Sequence, residues 1–482
     1  MSNKRGSITG AICLFTAACA TGAESAATTT NAVPTPAGKE ESRFSDQPAP
    51  LQLATFPKRP APLIELGDHF LGTGNLQNGF TLPTGAVWTP NFWVFGTMRS
   101  AVQTFDPGNG PRYTEWANRL DIYGNLYLSP TERVVVGFRP LDQNGAAYSG
   151  YLFEPRSQHG WQDESSATPR TLFFEGELGE IFPHWDKSDS RSLDYSFAVG
   201  RQPLTLQDGL LANDGSVDMI SVTRNALPLP FGSTLRLSAL YGWDKIERPD
   251  YTTAAVANEP DANANIFALD AAADFPVSTV EASAVYVSSD HDGDGFYGGI
   301  GAIQRIGKFN TTFRAATSVA TDHNSAKVTT GTLLLSQISY DLPYSSDIVY
   351  LDTFWGINQF SSADRDPTAG GPLGQVGILN AAVGLGHYDA PLSNQPDHAA
   401  GASLGYQMFF GELRRTQLIL EIGGRAPTQS PGLLRQEAAE GVAVRFQQAM
   451  GRHCILVVDT FGVNRETSPA SVGGRVELEV KF

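Results

Sequence analysis

Charged residues recur at every second position in several stretches of the chain, next to apolar ones. In RLDIYGNLYL, Arg119 and Asp121 stand on one face of an alternating segment whose other face carries Leu120 and Ile122. Such alternation is typical of a strand with one polar and one apolar face. Opposed charges on one face could order water and select solutes inside a pore. The same pattern predicts seven pore-lining residues: Arg119, Asp121, Arg133, Arg139, Glu175, Glu177 and Arg236.

A second candidate is the stretch DHDGDGFYGG, in which carboxylates alternate before a glycine. Asp290, Asp292 and Asp294 precede Gly295 as they would in a calcium-binding loop, but the twelfth position, where an EF-hand needs a carboxylate, is Gly301. The competing interpretation is a solvated loop of turn-forming residues. Calcium is therefore the one cofactor that the sequence suggests, and we predict no other.

A third pattern, GASLG, matches the spacing around a nucleophilic serine at Ser403. That motif requires a sharp turn from a strand into a helix, whereas this copy lies within the alternating segment GASLGYQMFF. The eight histidines show no metal-ligand spacing, and no glycine-rich phosphate loop follows a strand. We therefore predict that the protein is not an enzyme.

The composition limits the class of protein. The chain has 482 residues, of which 41% are hydrophobic and 17% are charged, and it contains 49 glycines. The charged fraction lies below the roughly 25% of soluble proteins, as expected where much of the surface does not face water. With a net charge of -16, the surface as a whole is a poor partner for nucleic acid.

The N-terminal region reads as a targeting segment followed by a tether. Lys4 and Arg5 precede an apolar, small-residue stretch, which predicts a secretory signal peptide over residues 1–23. An alternative takes Cys19 as the lipidated first residue of a lipoprotein. Residues 24–66, rich in Ala, Thr and Pro, predict a disordered tether, and 67–482 form the remaining domain. After cleavage only Cys454 is left, so no internal disulfide is predicted.

From about residue 91 the chain reads as short alternating segments with no helical period. No later stretch of 18 apolar residues exists, so an exported protein of this pattern could span a membrane only as a closed all-β barrel. Short connections such as SPTE alternate with long polar ones, as in bacterial barrels with periplasmic turns and external loops. The long segment 141–169 could fold into the lumen or remain a surface loop.

Nineteen candidate strands can be counted, which is odd, although a barrel with both termini on one side needs an even number. The surplus element lies between about 347 and 400, unless the first candidate is not a strand. We predict that residues 67–482 form a single transmembrane β-barrel of 18 antiparallel strands, with 16 as the alternative. The candidates begin near residues 92, 116, 132, 170, 193, 217, 233, 265, 279, 296, 311, 330, 347, 377, 399, 416, 441, 454 and 472.

The chain ends in RVELEVKF, where Val476, Leu478, Val480 and Phe482 form an apolar row opposite a charged one. A terminal strand of this kind can close a barrel by pairing with the first strand and removing the free edge. The stretch resembles the C-terminal assembly signal of Gram-negative outer-membrane β-barrels. Residues 91–482 resemble a large outer-membrane porin, and YSFAVGRQPLTLQDGLLANDGSVDMISVTRN is loosely similar to alginate-export-type barrels.

These resemblances imply an outer-membrane channel for passive diffusion of small hydrophilic solutes through a charged lumen. The expected partners are outer-membrane lipid, the barrel assembly machinery and the solute, and the oligomeric state stays open. One alternative is a plugged structural or adhesive barrel whose external loops bind partners. Others are a lipid-hydrolysing barrel and a soluble secreted β-protein.

Overall fold

The computed structural model describes residues 59–482 except 71, 73–77, 144–146, 186, 188–191, 231, 252–256, 322–326, 344 and 429–436. The predicted signal peptide, 1–23, and most of the predicted tether, 24–58, lie outside the described residues. No helix among the described residues is long and apolar enough to cross a membrane.

The described residues form one closed antiparallel barrel of eighteen strands, most of them 11 or 12 residues long. This length suits a tilted strand, which needs about 9–11 residues to cross a bilayer. The strands are β1 Asn91–Asp106, β2 Tyr113–Tyr127, β3 Arg133–Phe138, β4 Pro169–Glu177, β5 Tyr195–Leu206, β6 Ala212–Pro228, β7 Thr234–Asp244, β8 Ala264–Asp274, β9 Ser278–Ser289, β10 Gly295–Ile306, β11 Phe309–Ala320, β12 Gly331–Asp341, β13 Ile348–Asn358, β14 Ala399–Phe410, β15 Thr416–Pro427, β16 Ala439–Met450, β17 Cys454–Arg465 and β18 Ser471–Lys481.

Each strand pairs with its neighbours in sequence, and β18 pairs with β1 from Val472 opposite Asp106 to Lys481 opposite Thr97. This pairing closes the barrel, so the eighteen described wall strands leave no long free edge. The alternation in the last strand separates its two faces as predicted. Val476 is 51% exposed on the outer face, whereas Arg475 and Glu477 are buried on the inner face.

The predicted number of 18 strands is confirmed, and the candidate strand near residue 377 is wrong. Residues 359–398, here called the inserted segment, contain the two-residue strand Asp364–Arg365 and two 3-10 turns, Pro367–Ala369 and Pro372–Gln375. Its apolar residues mimic a strand pattern because they are buried in the barrel interior, not because they pair along the wall.

The end of the predicted tether is ordered. Ile64–Leu66 forms a strand that pairs with residues 92–94 of β1. Phe482 pairs with Gly96, and the N–H of Leu63 donates to Val94 O at 2.7 Å. Residues 63–66 therefore continue the line of β18 along β1. The prediction that the disordered tether extends to residue 66 is wrong for residues 63–66, which are paired. A small hairpin, Phe80–Thr81 with Val87–Trp88, follows.

The segment 141–169 mainly extends the wall. Gly150–Glu154 pairs with Thr114–Ala117 of β2 above the end of β3, and Gly160–Gln162 pairs with it in turn. The pairing places exposed aromatic rings outside, with Trp161 72% exposed. Of this segment, Tyr148 packs against an inner cluster. The remaining short elements are Asp142–Gln143, Ala147–Tyr148, Glu247–Asp250 and Ala257–Pro260, the α-turn Leu178–Ile181 and the 3-10 turn Gln207–Gly209.

Aromatic side chains stand on the outer face near both ends of the wall, as in membrane-interface belts. Trp243, Phe296 and Trp355 are exposed at the end with long connections, and Phe309 and Phe410 at the end with short ones. Tyr297, which the sequence also suggests as an end aromatic, instead points inward and is fully buried.

The barrel interior holds apolar cores in the half nearer the long connections. The first core joins the inner faces of β8–β13 to the β5–β6 connection, residues 207–211, and to the inserted segment, and a second core lies against β16 and β17. The wall residues of the first core include Ile266, Val285, Val287, Tyr297, Leu333, Leu335 and Phe354. These strands are therefore apolar on both faces over part of their length.

Candidate functional site

The inserted segment crosses the barrel interior, and it is the feature that most limits the width of any passage through the barrel. It hydrogen-bonds to wall residues of β1, β2, β6, β13, β14, β15, β17 and β18, so it touches opposite sides of the barrel. A segment held from so many directions lies across the lumen, not above it.

Glu421 of β15 holds the turn nearest the short connections. Its carboxylate accepts the N–H groups of Ile378, at 2.7 Å, and Leu379, at 2.8 Å, and the hydroxyl of Tyr350. Tyr350 reaches it across Gly405, where a Cβ would collide with the phenol ring. Glu421 is 2% exposed. Charge-assisted bonds to a buried carboxylate are among the stronger hydrogen bonds in proteins.

Two neighbouring wall residues complete this attachment. Asp352 Oδ2 accepts the N–H of Gly377 at 3.1 Å, and Asn380 donates to the hydroxyl of Ser403 at 3.3 Å. Ser403 lies in the middle of β14, is fully buried and pairs opposite Asp352 and Gly423. Its neighbourhood is a strand and not the strand-to-helix turn of a hydrolase, and it serves to position the inserted segment.

Arginines of the wall fasten the backbone of the inserted segment. Arg425 donates to the carbonyls of Leu392 at 3.0 Å and Gln395 at 2.8 Å, and Arg465 donates to Pro391 O at 3.1 Å. Within the segment, Arg365 donates back to Gly209 O in the β5–β6 connection. These guanidinium groups satisfy buried carbonyls that have no strand partner.

At the end with long connections, carboxylates from three parts of the chain meet. Asp364 Oδ1 accepts the N–H of Glu247 at 2.9 Å, while Asp366 forms an ion pair with Arg170. Asp214 lies beside them at the start of β6, and burial together with the charges of Asp214 and Asp366 raises the pKa of Glu247 to about 9. Glu247 is thus held protonated at neutral pH.

Another contact fastens the inserted segment to β2. Glu115 accepts the N–H of His387 at 2.7 Å, its ring Nδ1 at 2.8 Å and the amide of Gln103 at 2.7 Å. The imidazole stacks on Tyr113 with the ring centres 4.0 Å apart. The stacked ring and the paired carboxylate define the position of residues 385–388 against the wall.

A belt of alternating charge runs across the inner face of four strands. Arg445 on β16 pairs with Asp459 on β17, and Arg475 on β18 lies between Asp459 and Glu477. Arg99 on β1 then pairs with Glu477 at 2.7 Å. Arg99 and Arg475 also donate to the carbonyl of Val383 in the inserted segment. The sequence shows the same two-residue alternation here, although the seven predicted residues do not include this belt.

Five of the predicted residues fall into two ion-paired groups. Arg119 and Arg139 share Asp121, at 2.8 and 2.9 Å, and Arg139 also pairs with Asp142. This group continues the belt, because Arg119 lies opposite Arg99 across β1 and β2.

The other four predictions lie apart from this first group. Arg133 pairs with Glu175 across β3 and β4, near the short connections. Glu177 lies at the end of β4, and Arg236 is exposed near the start of β7. The structure therefore brings together the first group and one further pair but does not gather all seven, and their role as pore-lining residues stays a prediction.

The three aspartates of the candidate calcium loop do not form a cluster in the described structure. Asp294 instead accepts the hydroxyl of Tyr286 at 2.5 Å and the N–H of Ser289 at 2.9 Å. No group of three or more His, Cys, Asp or Glu able to hold a metal ion occurs among the described residues. Calcium binding at Asp290, Asp292 and Asp294 stays a prediction.

The closed 18-strand antiparallel barrel is a fold that this chain shares with solved outer-membrane porins. The solved OccK11 (OpdR) of Pseudomonas aeruginosa is similar in structure at 12% identity, with a TM-score of 0.52, over 84% of this chain and 98% of its own. OccAB2 of Acinetobacter baumannii matches at 10% identity and a TM-score of 0.54, and a BenF-like porin of Pseudomonas fluorescens Pf-5 at 9% and 0.54, each over 81% of this chain and 98% of its own.

At these identities the likeness concerns the fold. No protein-family model and no curated protein matches the sequence. The resemblance to alginate-export-type barrels stays a prediction.

Proposed function

We propose that the protein is an outer-membrane channel for passive diffusion of small hydrophilic solutes. The observation that carries the proposal is the charged belt on the inner wall, beside an inserted segment that narrows the lumen. Lipid-facing charges would cost about 2–4 kcal/mol each near the midplane, so paired charges inside an apolar outer wall suit an aqueous passage. No covalent chemistry is part of the proposal.

In this proposal the short connections lie on the periplasmic side and the long ones outside, as in bacterial barrels. The apolar row Val476, Leu478, Val480 and Phe482 contacts lipid once folded and serves as the signal for the assembly machinery. Export relies on the predicted signal peptide. The likeness to solved porins, which share the fold at low identity, supports this placement.

The test is single-channel conductance of detergent-folded protein in a planar bilayer under a salt gradient. We expect stepwise insertions of stable conductance, and the sign of the reversal potential reports whether arginines or carboxylates dominate the passage. Folded, heat-modifiable protein that inserts but stays silent would contradict the channel and favour the plugged or adhesive barrel.

A further inference from the structure

On the short-connection side of the inserted segment, the lumen wall forms a cavity of about 770 Å³ between β9 and β13. This volume falls within the range of about 300–1,000 Å³ that is typical of small-molecule sites. The ceiling is the inserted segment itself, since Gln337 donates to Gln375 O at 2.9 Å and Asp352 accepts from Gly377. We call this cavity the vestibule.

Five adjacent strands present one row of side chains to the vestibule. In register these are Thr279, Ile303, Thr312, Gln337 and Asp352. On its own strand each of the five lies an even number of positions from a buried interior residue, which sets it on the inner face; these buried residues are Val285, Tyr297, Ala316, Leu335 and Phe354. The row is mostly neutral and polar.

A second row lies one step nearer the short connections. Asn310 donates to the hydroxyl of Ser339 at 3.4 Å, and Arg305, opposite Asn310, pairs with Asp341 at 3.2 Å. On the other side of the first row, Arg314 pairs with Glu281 at 2.8 Å. Arg305 and Arg314 are therefore each matched by a carboxylate, whereas Asp352 accepts a backbone N–H and Asp274 accepts the hydroxyls of Thr234 and Thr279.

The vestibule also has an apolar flank. Phe275, Val277 and Ile303 line it with partly exposed side chains. Hydroxyl and amide groups that both donate and accept, set beside an apolar surface, complement a molecule with many hydroxyl groups and an apolar C–H face. An anionic solute would have to displace an existing ion pair to reach Arg305 or Arg314, and the carboxylate of Asp352 already accepts a backbone N–H.

We infer that the vestibule binds a neutral polyhydroxylated solute of sugar or polyol type. As a selecting step, this inference rests on the proposed function, because the vestibule then lies on the path below the inserted segment. Binding itself does not require conduction. Thr312 and Gln337 are the positioning groups at the centre of the row.

Saturation-transfer NMR on detergent-folded protein tests binding directly, with glucose, gluconate and glucosamine as probes that share a carbon skeleton and differ in charge. We expect transfer to glucose, at least tenfold weaker affinity in the double variant Thr312→Val with Gln337→Leu, and retained affinity in Thr312→Ser, which keeps the hydroxyl. Thr353→Val, on the lipid-facing side of β13, is the matched control and should bind as wild type.

Tighter binding of gluconate or glucosamine than of glucose would overturn the inference, as would unchanged glucose affinity in the double variant. If that variant does not fold, the comparison of Thr312→Val with Thr312→Ser decides the same point. Conductance in salt is measured separately. A conducting protein that ignores glucose contradicts this inference alone, whereas a silent protein that binds glucose contradicts only the channel.

Discussion

Replacing Glu421 by alanine should release the turn of the inserted segment that it holds. The substitution removes the acceptor of two buried backbone N–H groups, those of Ile378 and Leu379. Each hydrogen bond to a charged acceptor is worth about 1.5–3 kcal/mol, so the docked turn loses about 3–6 kcal/mol. At about 1.4 kcal/mol per tenfold, the ratio of released to docked turn rises at least a hundredfold.

Two assays read this change. Hydrogen exchange followed by mass spectrometry should show faster exchange at Ile378 and Leu379, whether or not the protein conducts. In planar bilayers, we expect larger or noisier current steps, because the turn is free to leave the lumen. Glu421→Gln keeps one acceptor oxygen without the charge and should be intermediate.

Glu440→Ala is the matched control, since Glu440 is an exposed carboxylate on the neighbouring strand β16. It should leave both assays unchanged. If Glu421→Ala leaves the exchange of Ile378 and Leu379 at the wild-type rate, Glu421 does not hold the turn. If exchange rises but the current does not change, the turn does not limit the passage.

Three further predictions concern charge, pH and the barrel seam. Asp459→Asn leaves Arg445 and Arg475 without their shared carboxylate, so the reversal potential should move towards anion preference. A chloride about 4 Å from the freed charge gains about 1 kcal/mol, which is about a fivefold change in the ratio of anion to cation permeability. An unchanged reversal potential would mean that the belt does not lie on the ion path. Because the pKa of Glu247 is raised to about 9, the stability it contributes is present at acid pH and is lost as pH rises from 4.5 through 9. Protection of residues 247–250 from hydrogen exchange should therefore fall over that range, and Glu247→Gln should make the protection nearly independent of pH. Equal pH dependence in the variant and the wild type would contradict the raised pKa of Glu247. Deleting residues 59–66 should expose the N–H groups of 92–94 to exchange while 97–106 stay protected, and loss of both would mean that the short strand is needed for closure.

Two-residue alternation is enough to predict the wall, because successive side chains of a wall strand face the outside and the interior in turn. The residue types of each strand therefore reflect both environments. It locates the terminal strand and the paired group around Asp121, and it also underlies Arg475 and Glu477, which the sequence shows as a charged row. It failed near residue 377. There the apolar residues Ile378 and Leu379 are buried against distant strands, and no local period distinguishes such burial from a wall strand.

The inserted segment itself could not be predicted, because its attachments join residues far apart in sequence. Gln103 and Leu385 are 282 positions apart, and Arg170 and Asp366 are 196 apart. From the sequence, the long segment 141–169 is the candidate for a loop that folds into the lumen. In the structure its strand Gly150–Glu154 instead pairs with the part of β2 that extends beyond β3. Whether a long connection enters a barrel depends on complementary surfaces that only the closed wall creates.

The apolar inner face of β8–β13 has a consequence for engineering. A barrel can be widened for use as a sensing pore by deleting a loop from its interior. Here, deletion of residues 359–398 would leave an apolar inner wall exposed to water. Leu333, Leu335 and Phe354 alone would each lose about 1.5–3 kcal/mol of burial. Deleting the inserted segment would first require replacing these apolar wall residues by polar ones. The inserted segment and the strands that it covers can therefore be changed only together.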